Sequence, residues 1–366
     1  MSKTLRIGIG ASLLTGLLAC GSVGNAHKSG TAAAGSVTAT GNMSTPRAAH
    51  TATLLPNGNV LITGGMERNG VSFAIAELYD PATGKFTPTG SMTTKRVGSK
   101  AVLLRTGKVL IIGGSNHEDG SLASAELYDP ATGTFAATGS MKQKGGGLVT
   151  VLADGKVLVA GGYNELYDPS TGTFSLTGKI DLQQSSTATL LTLLKNGKVL
   201  LTGSVTYPAE TPLAKAELYD PASGNFTAIG NMTKARAKQA ATLLPDGRVL
   251  ITGGMDRSGP QGRTASAEIY DPAKNSFVAI ANMSMARFKH ADTTVVLPNG
   301  KVLIAGGGER AEVFDPATGT FSIASGSLDE AWFFATATLL QSGKVLIVGG
   351  YHRGVVCTAG AWIYQS

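Results

Sequence analysis

Seven copies of one unit, each about fifty residues long, predict an all-β fold: a closed ring of seven four-stranded antiparallel blades, a β-propeller. Two landmarks define the unit. A glycine pair follows an apolar run at Gly64-Gly65, Gly113-Gly114, Gly161-Gly162, Gly253-Gly254, Gly306-Gly307 and Gly349-Gly350, with a degenerate Gly203-Ser204 in the remaining slot. An aromatic then closes the next run, at Tyr79, Tyr128, Tyr167, Tyr219, Tyr270, Phe314 and Tyr364.

Each unit reads as four strands. In the first copy TATLL is a short, β-branched and apolar run, and the Asn57-Gly58 pair after it is a hairpin signal, because glycine accepts positive φ. VLITGG follows, continuous in apolar residues as a strand covered on both faces should be. AELYDP alternates, and Asp80-Pro81 opens a turn that Gly84 closes. The fourth strand, KFTPT, is more polar, as an outer edge should be. No helix signal stands out after the leader.

Ring closure is also written in the chain. The seventh unit stops at Ser366, at the end of its third strand, and GSVTATGNM (35–43) matches GTFAATGSM (133–141), the fourth-strand segment of the second unit. Residues 35–43 are therefore expected to complete the last blade from the other terminus.

The glycine pair after an apolar strand, followed by an aromatic, resembles the kelch repeat. The resemblance covers residues 35–366 and is similar in particular to bacterial exported kelch proteins related to the central domain of galactose oxidase. It implies binding through one face of the ring. The tryptophan–aspartate repeat signature and the sialidase Asp-box are both missing from the sequence.

The chain start reads as an export signal over residues 1–19: Lys3 and Arg6, then an uncharged run from Ile7 to Ala19 too short to span a bilayer. Leu17-Leu18-Ala19-Cys20-Gly21 resembles the bacterial lipobox, which would make Cys20 the lipidation site; an ordinary secretory signal containing a Cys is the alternative. Residues 20–34 then form a lipidated Cys and flexible tether, and 35–366 the propeller. With no Asp after the Cys, the outer membrane is the expected address. If Cys20 carries lipid, Cys357 has no partner, so stability must come from a packed core, for which 42% hydrophobic composition suffices. The formal charge of +7 is scattered, with no basic run and no nucleic-acid motif. A monomer that meets the membrane only through its lipid, with no nucleic-acid partner, is expected.

The loops joining strands one to two and three to four are short and nearly identical among the copies. Those after strand two and those linking blades vary widely, and alternating strand direction puts both variable sets on one face. An Arg recurs in the link at Arg47, Arg96, Arg236 and Arg287, where other units have Gly145, Gln184 and Trp332. A brace to the repeated strand-three Glu (Glu77, Glu126, Glu268, Glu312) is one reading of that Arg; a ligand contact is the other. The seventh unit departs most, with Trp332-Phe333-Phe334 in its link and Tyr351-His352-Arg353 after its glycine pair. Around it, blade six contributes Arg287, His290, Glu309 and Arg310, and blade one Arg47, His50 and Arg68. Aromatic faces beside guanidinium groups suit a sugar or an acidic small molecule, or a protein of the cell envelope. A filled channel or closure seam around Trp332 is the structural alternative.

The resemblance also implies two enzyme readings. A copper-radical oxidase uses two Tyr, two His and a Cys cross-linked to one Tyr; Tyr351-His352 and Cys357 are the nearest match, with the thiol in the wrong segment. A mutarotase needs an acid and a base over the channel, for which Glu309, Glu330, His290 and His352 are available without a distinguishing spacing. No nucleophile elbow, phosphate loop or zinc spacing occurs. The sequence therefore predicts a binding module, with no assigned catalytic residue, metal or cofactor.

Overall fold

A computed structural model describes residues 34–145, 147–161, 164–179, 190–206, 211–256, 262–352 and 354–366. Seven four-stranded antiparallel sheets follow one another, with inner strands beginning at Thr51, Lys100, Leu148, Leu190, Ala240, Thr294 and Thr336. They are numbered blades 1 to 7 in that order. The fold is the seven-bladed, all-β propeller expected from the repeats. A short 3-10 turn, Ala291–Thr293, lies in the link into blade 6.

The burial of each strand follows from its residues. Strand two is buried throughout in every blade, as in Val60–Thr63 and Val109–Ile112, because neighbouring blades cover both of its faces. Strand four is mostly exposed, as in Lys85–Pro88. Seven apolar clusters fill the spaces between adjacent blades; Leu55, Leu61, Met92, Val109, Ile111 and Tyr128, for example, join blades 1 and 2. The strand-three aromatic packs on a strand-four Phe at ring distances of 4.7 to 4.9 Å in blades 1 to 6. Its hydroxyl, at the far end, meets a Thr of the preceding blade: Thr40–Tyr79, Thr89–Tyr128, Thr138–Tyr167 and Thr177–Tyr219, at 2.9 to 3.1 Å.

Blade 7 is completed by Ser36–Ala39, which pairs antiparallel with Ala361–Gln365 in the register Ser36↔Gln365 to Ala39↔Trp362. The sheet order therefore runs from the first described strand directly to the last.

The glycine pair has a steric cause. Gly64 and Gly65 hold φ of 65° and 92°, and a Cβ on either would lie 2.6 Å from the Arg96 carbonyl oxygen or 2.8 Å from that of Ala48. Where Ser204 replaces the second glycine, the strand does not break off: Val199–Val205 continues through a register shift at Thr202/Ser204 and pairs with Pro212–Asp220.

Candidate functional site

The recurring Arg is a brace. Arg47, Arg96, Arg236 and Arg287 are all buried and pair with Glu77, Glu126, Glu268 and Glu312 at 2.6 to 3.0 Å. Arg96 shows the pattern in full. Its guanidinium also donates to the carbonyls of Gly113 and Ser124 at 2.9 Å, while Glu126 accepts the Thr93 amide at 2.7 Å. The backbone carbonyl of Arg96 meanwhile accepts from Gly65 of the preceding blade, so one residue grips two blades. Burial lowers the pKa of Arg47, Arg236 and Arg287, against the pull of their Glu partners. The ligand reading of Arg47 and Arg287 is corrected accordingly: neither is accessible.

Trp332 is corrected for a related reason. It occupies the Arg slot of blade 7, and Trp362 occupies the Glu slot of the same blade, so an aromatic pair at 5.9 Å replaces the ion pair. Trp332 is 8% exposed and donates its indole N–H to the Leu328 carbonyl at 2.7 Å. It is core rather than a stacking platform.

His50 and His290 are also withdrawn from solvent. His50 Nε2 lies 3.0 Å from Thr336 Oγ1, and His290 Nε2 lies 3.1 Å from Thr252 Oγ1, each reaching back to the preceding blade. Burial first, and a neighbouring Arg second, push both imidazoles down to about 3. A histidine held neutral in this way is not an acid near neutral pH. Arg68, Glu309 and Arg310 are exposed. Arg310 is turned outward, its guanidinium donating to the Ala324 carbonyl of its own blade at 2.9 Å. Arg353 lies outside the described residues, as do Cys20 and Gln184.

The aromatic and basic residues that do meet form a cluster beside the channel mouth, at the seam of blades 6 and 7 and reaching blade 5. Sequence reading placed it at the junction of blades 6, 7 and 1. Lys289 Nζ donates to Tyr351 OH at 2.8 Å and stands 4.7 to 5.6 Å from the ring centres of Phe288, Phe334 and Tyr351. Arg263, from the blade 5 loop, lies over Phe288 and Phe333 at 4.4 and 4.8 Å. Phe288, Lys289 and Arg263 went unnoticed in the sequence, because they come from two segments whose side chains only the fold brings onto the blade 7 aromatics.

Backbone strain sits at the same place. Two residues after the Arg or Trp slot, each link turns from the rim into the channel. Gly98 takes φ of 65° there, but Ala49, Lys238, Lys289 and Phe334 hold 53° to 57° with side chains attached. The Gly98 amide bonds to Ala49, Ala49 to Phe334, and Lys289 to Lys238, forming a collar around the mouth. Each non-glycine residue in this conformation costs about 1–2 kcal/mol. Glycine would be the less strained choice at these four positions, yet each keeps its side chain.

A copper site does not fit these residues. Cys357 donates its thiol to the Met66 carbonyl at 3.4 Å, and burial together with the charge of Glu67 pushes that thiol up, away from the thiolate. His352 stands edge-on to Trp332, with ring centres 5.3 Å apart. Among the described residues no group of three or more His, Cys, Asp or Glu side chains could hold a metal ion.

Two comparisons with known proteins bear on the fold. The family model for the kelch motif matches residues 99–142 and 236–284, which cover blades 2 and 5. No curated protein matches. A fungal alcohol oxidase solved in complex with copper, described as having catalytic diversity among the AA5 family, superposes with a TM-score of 0.70. It is 19% identical, over 90% of this chain and 76% of that one, a likeness of fold. The chain is thus a seven-bladed propeller carrying kelch motifs, and its fold resembles that of the galactose oxidase-related proteins.

Proposed function

We propose that this chain is a recognition module of the cell envelope that holds an anionic glycan or protein group against the variable face, at the seam of blades 6 and 7. One observation carries the reading. Lys238, Lys289 and Phe334 are kept at positive φ on the channel collar, where a glycine would be less strained. Lys289 and the Phe334 ring thereby stand beside Phe288 and Tyr351, with Arg263 over Phe288. Stacking and charge-assisted hydrogen bonds are what a carboxylate-bearing sugar or an acidic peptide segment would use.

The test is capture of a partner by the full chain from envelope extracts, run beside a glycan array. The glycine variants Lys289→Gly and Phe334→Gly should then weaken the captured partner at least tenfold, since hot-spot truncations commonly cost about 2 kcal/mol. Their melting temperatures should not fall, because relief of strain offsets the lost ring contacts. Changes at Asn57 and Asp246, on the opposite face, should be silent. Loss of binding in the Asn57 and Asp246 variants with silent collar variants would place the function on the other side of the disc.

The same proposal includes export and lipid anchoring through Cys20, on the strength of the apolar run that ends in Leu17-Leu18-Ala19-Cys20. Cys20→Ser should move the protein from membrane to soluble fractions. Retention in the membrane fraction would place the anchor elsewhere.

A further inference from the structure

The channel just inside the variable-face mouth holds a cavity of about 240 Å³ with charges that the repeat does not explain. Among the described residues, Lys100 is the one charged side chain on the seven inner strands, whose other members are Thr, Ala, Val and Leu. Its counterpart comes from an insertion. The hairpin glycine follows the Arg or Trp slot by eleven residues in blades 1, 2, 5 and 7 (Arg47 to Gly58, for example) but by thirteen in blade 6, from Arg287 to Gly300. The extra length forms the 3-10 turn Ala291–Thr293, pinned by Thr293 Oγ1, which donates to the His290 carbonyl and accepts from the Gly306 amide. That turn carries Asp292, whose Oδ2 lies 3.3 Å from Lys100 Nζ, between blades 6 and 2. Two independent departures from the repeat thus meet in one cavity.

Stability does not account for this pair. Lys100 is 31% and Asp292 53% exposed, and a pair so wetted contributes about 0–1 kcal/mol. Its neighbours, moreover, are incompletely satisfied. Ser99 and His50 both line the cavity, both are more than nine-tenths buried, and Ser99 Oγ and His50 Nδ1 have no hydrogen-bond partner. Buried polar atoms left without partners are uncommon and call for an explanation.

We propose that this cavity binds a small zwitterion, an α-amino acid with a short side chain, its carboxylate on Lys100 and its ammonium on Asp292. The charges select the class. A lone anion would leave Asp292 beside it without a cation, and a lone cation would leave Lys100 without an anion. A neutral polyol would have to compete with a pair already made. A zwitterion inserts between the two and gives each a partner, at the small cost of separating a half-exposed pair. Rotation about one side-chain bond lets Ser99 Oγ donate to the ligand carboxylate. Ala52, Ala101 and Ala337 also line the cavity and offer the ligand's side chain a small apolar surface. This site is separate from the collar cluster and does not depend on it.

The experiment is calorimetric titration of the full chain in detergent with glycine and with L-serine, against acetate, methylammonium and glucose. Glycine and serine should saturate in the millimolar range or below, and the two half-ligands should bind at least tenfold more weakly. Lys100→Thr and Asp292→Asn should each weaken serine at least tenfold. Thr is the residue that blades 1 and 7 carry at the Lys100 position, as Thr51 and Thr336, so that variant has a precedent within the same ring. Ser99→Ala should cost serine several-fold with no change in melting temperature. The proposal is overturned if neither amino acid saturates, if both charge variants titrate like the parent, or if glucose saturates while the amino acids do not.

Discussion

At the scale of single residues, position in the repeat decides what a side chain can do. The residue three places after the Arg slot is His50 in blade 1, Gln239 in blade 5 and His290 in blade 6. All three are buried and reach back to the preceding blade, Gln239 through its amide nitrogen to the Thr202 carbonyl at 2.9 Å. The two imidazoles titrate at about 3 when folded, against an ordinary 6.5. Their contribution is therefore complete above pH 6.5 and is lost as pH falls toward 3, since the unfolded chain takes up protons that the folded chain refuses. At pH 5 each His should cost about 2 kcal/mol. Thermal melts from pH 7 to 4.5 should fall steeply, and His50→Gln with His290→Gln should flatten that fall, using the residue already accommodated at this position in blade 5. An unchanged slope would mean that other groups set the acid sensitivity. The sequence placed both histidines in loops of the variable face, and they are there. What it withheld was the direction of the side chains, which depends on a blade remote in sequence: His50 meets Thr336, 286 residues away.

At the scale of elements, the repeat made the architecture legible. Seven internal copies stand in for a comparison of relatives, and the glycine pairs, hairpin glycines and strand-three aromatics recur because each blade must solve the same packing problem. The brace was legible as one of two readings, since both the Arg and the Glu recur. Its settlement in favour of structure is physical. Removing one member of a buried ion pair typically costs about 3–5 kcal/mol, whereas replacing both by well-packed apolar groups is often neutral. Blade 7 has made that double replacement, with Trp332 and Trp362 in the two slots. Trp332 seen alone in the sequence left a stacking platform and a filled channel or closure seam both open. Seen with Trp362 it is half of a substituted pair, and only alignment of strand three with the link would have exposed the match. The collar strain was not legible, because nothing in a Lys or Phe letter announces a positive φ. Gly98 at the same repeat position was the available hint.

At the scale of the whole molecule, the ring holds because apolar clusters join each blade to the next and the two ends of the described chain meet in one sheet. Ser36–Ala39 covers the outer edge of Ala361–Gln365. Val37 is buried in the cluster between blades 6 and 7, and Ser36 bridges across to Ser325 of blade 6. This strand therefore satisfies a row of backbone groups and fastens blade 7 to blade 6, while Thr40, just after it, meets Tyr79 of blade 1. Burying Val37 alone is worth about 1.5–3 kcal/mol, and an uncovered strand edge invites pairing with a second chain. Deleting residues 35–43 should accordingly lower the melting temperature markedly or turn the protein into aggregates. Deleting 21–33, which carry no strand pattern in the sequence, should do neither. The contrast matters more than either result, because both deletions shorten the chain before blade 1 and only one removes the ring's closing strand. Equal behaviour of the two truncations would mean that blade 7 stands on three strands and that the ring is held by its inter-blade clusters alone.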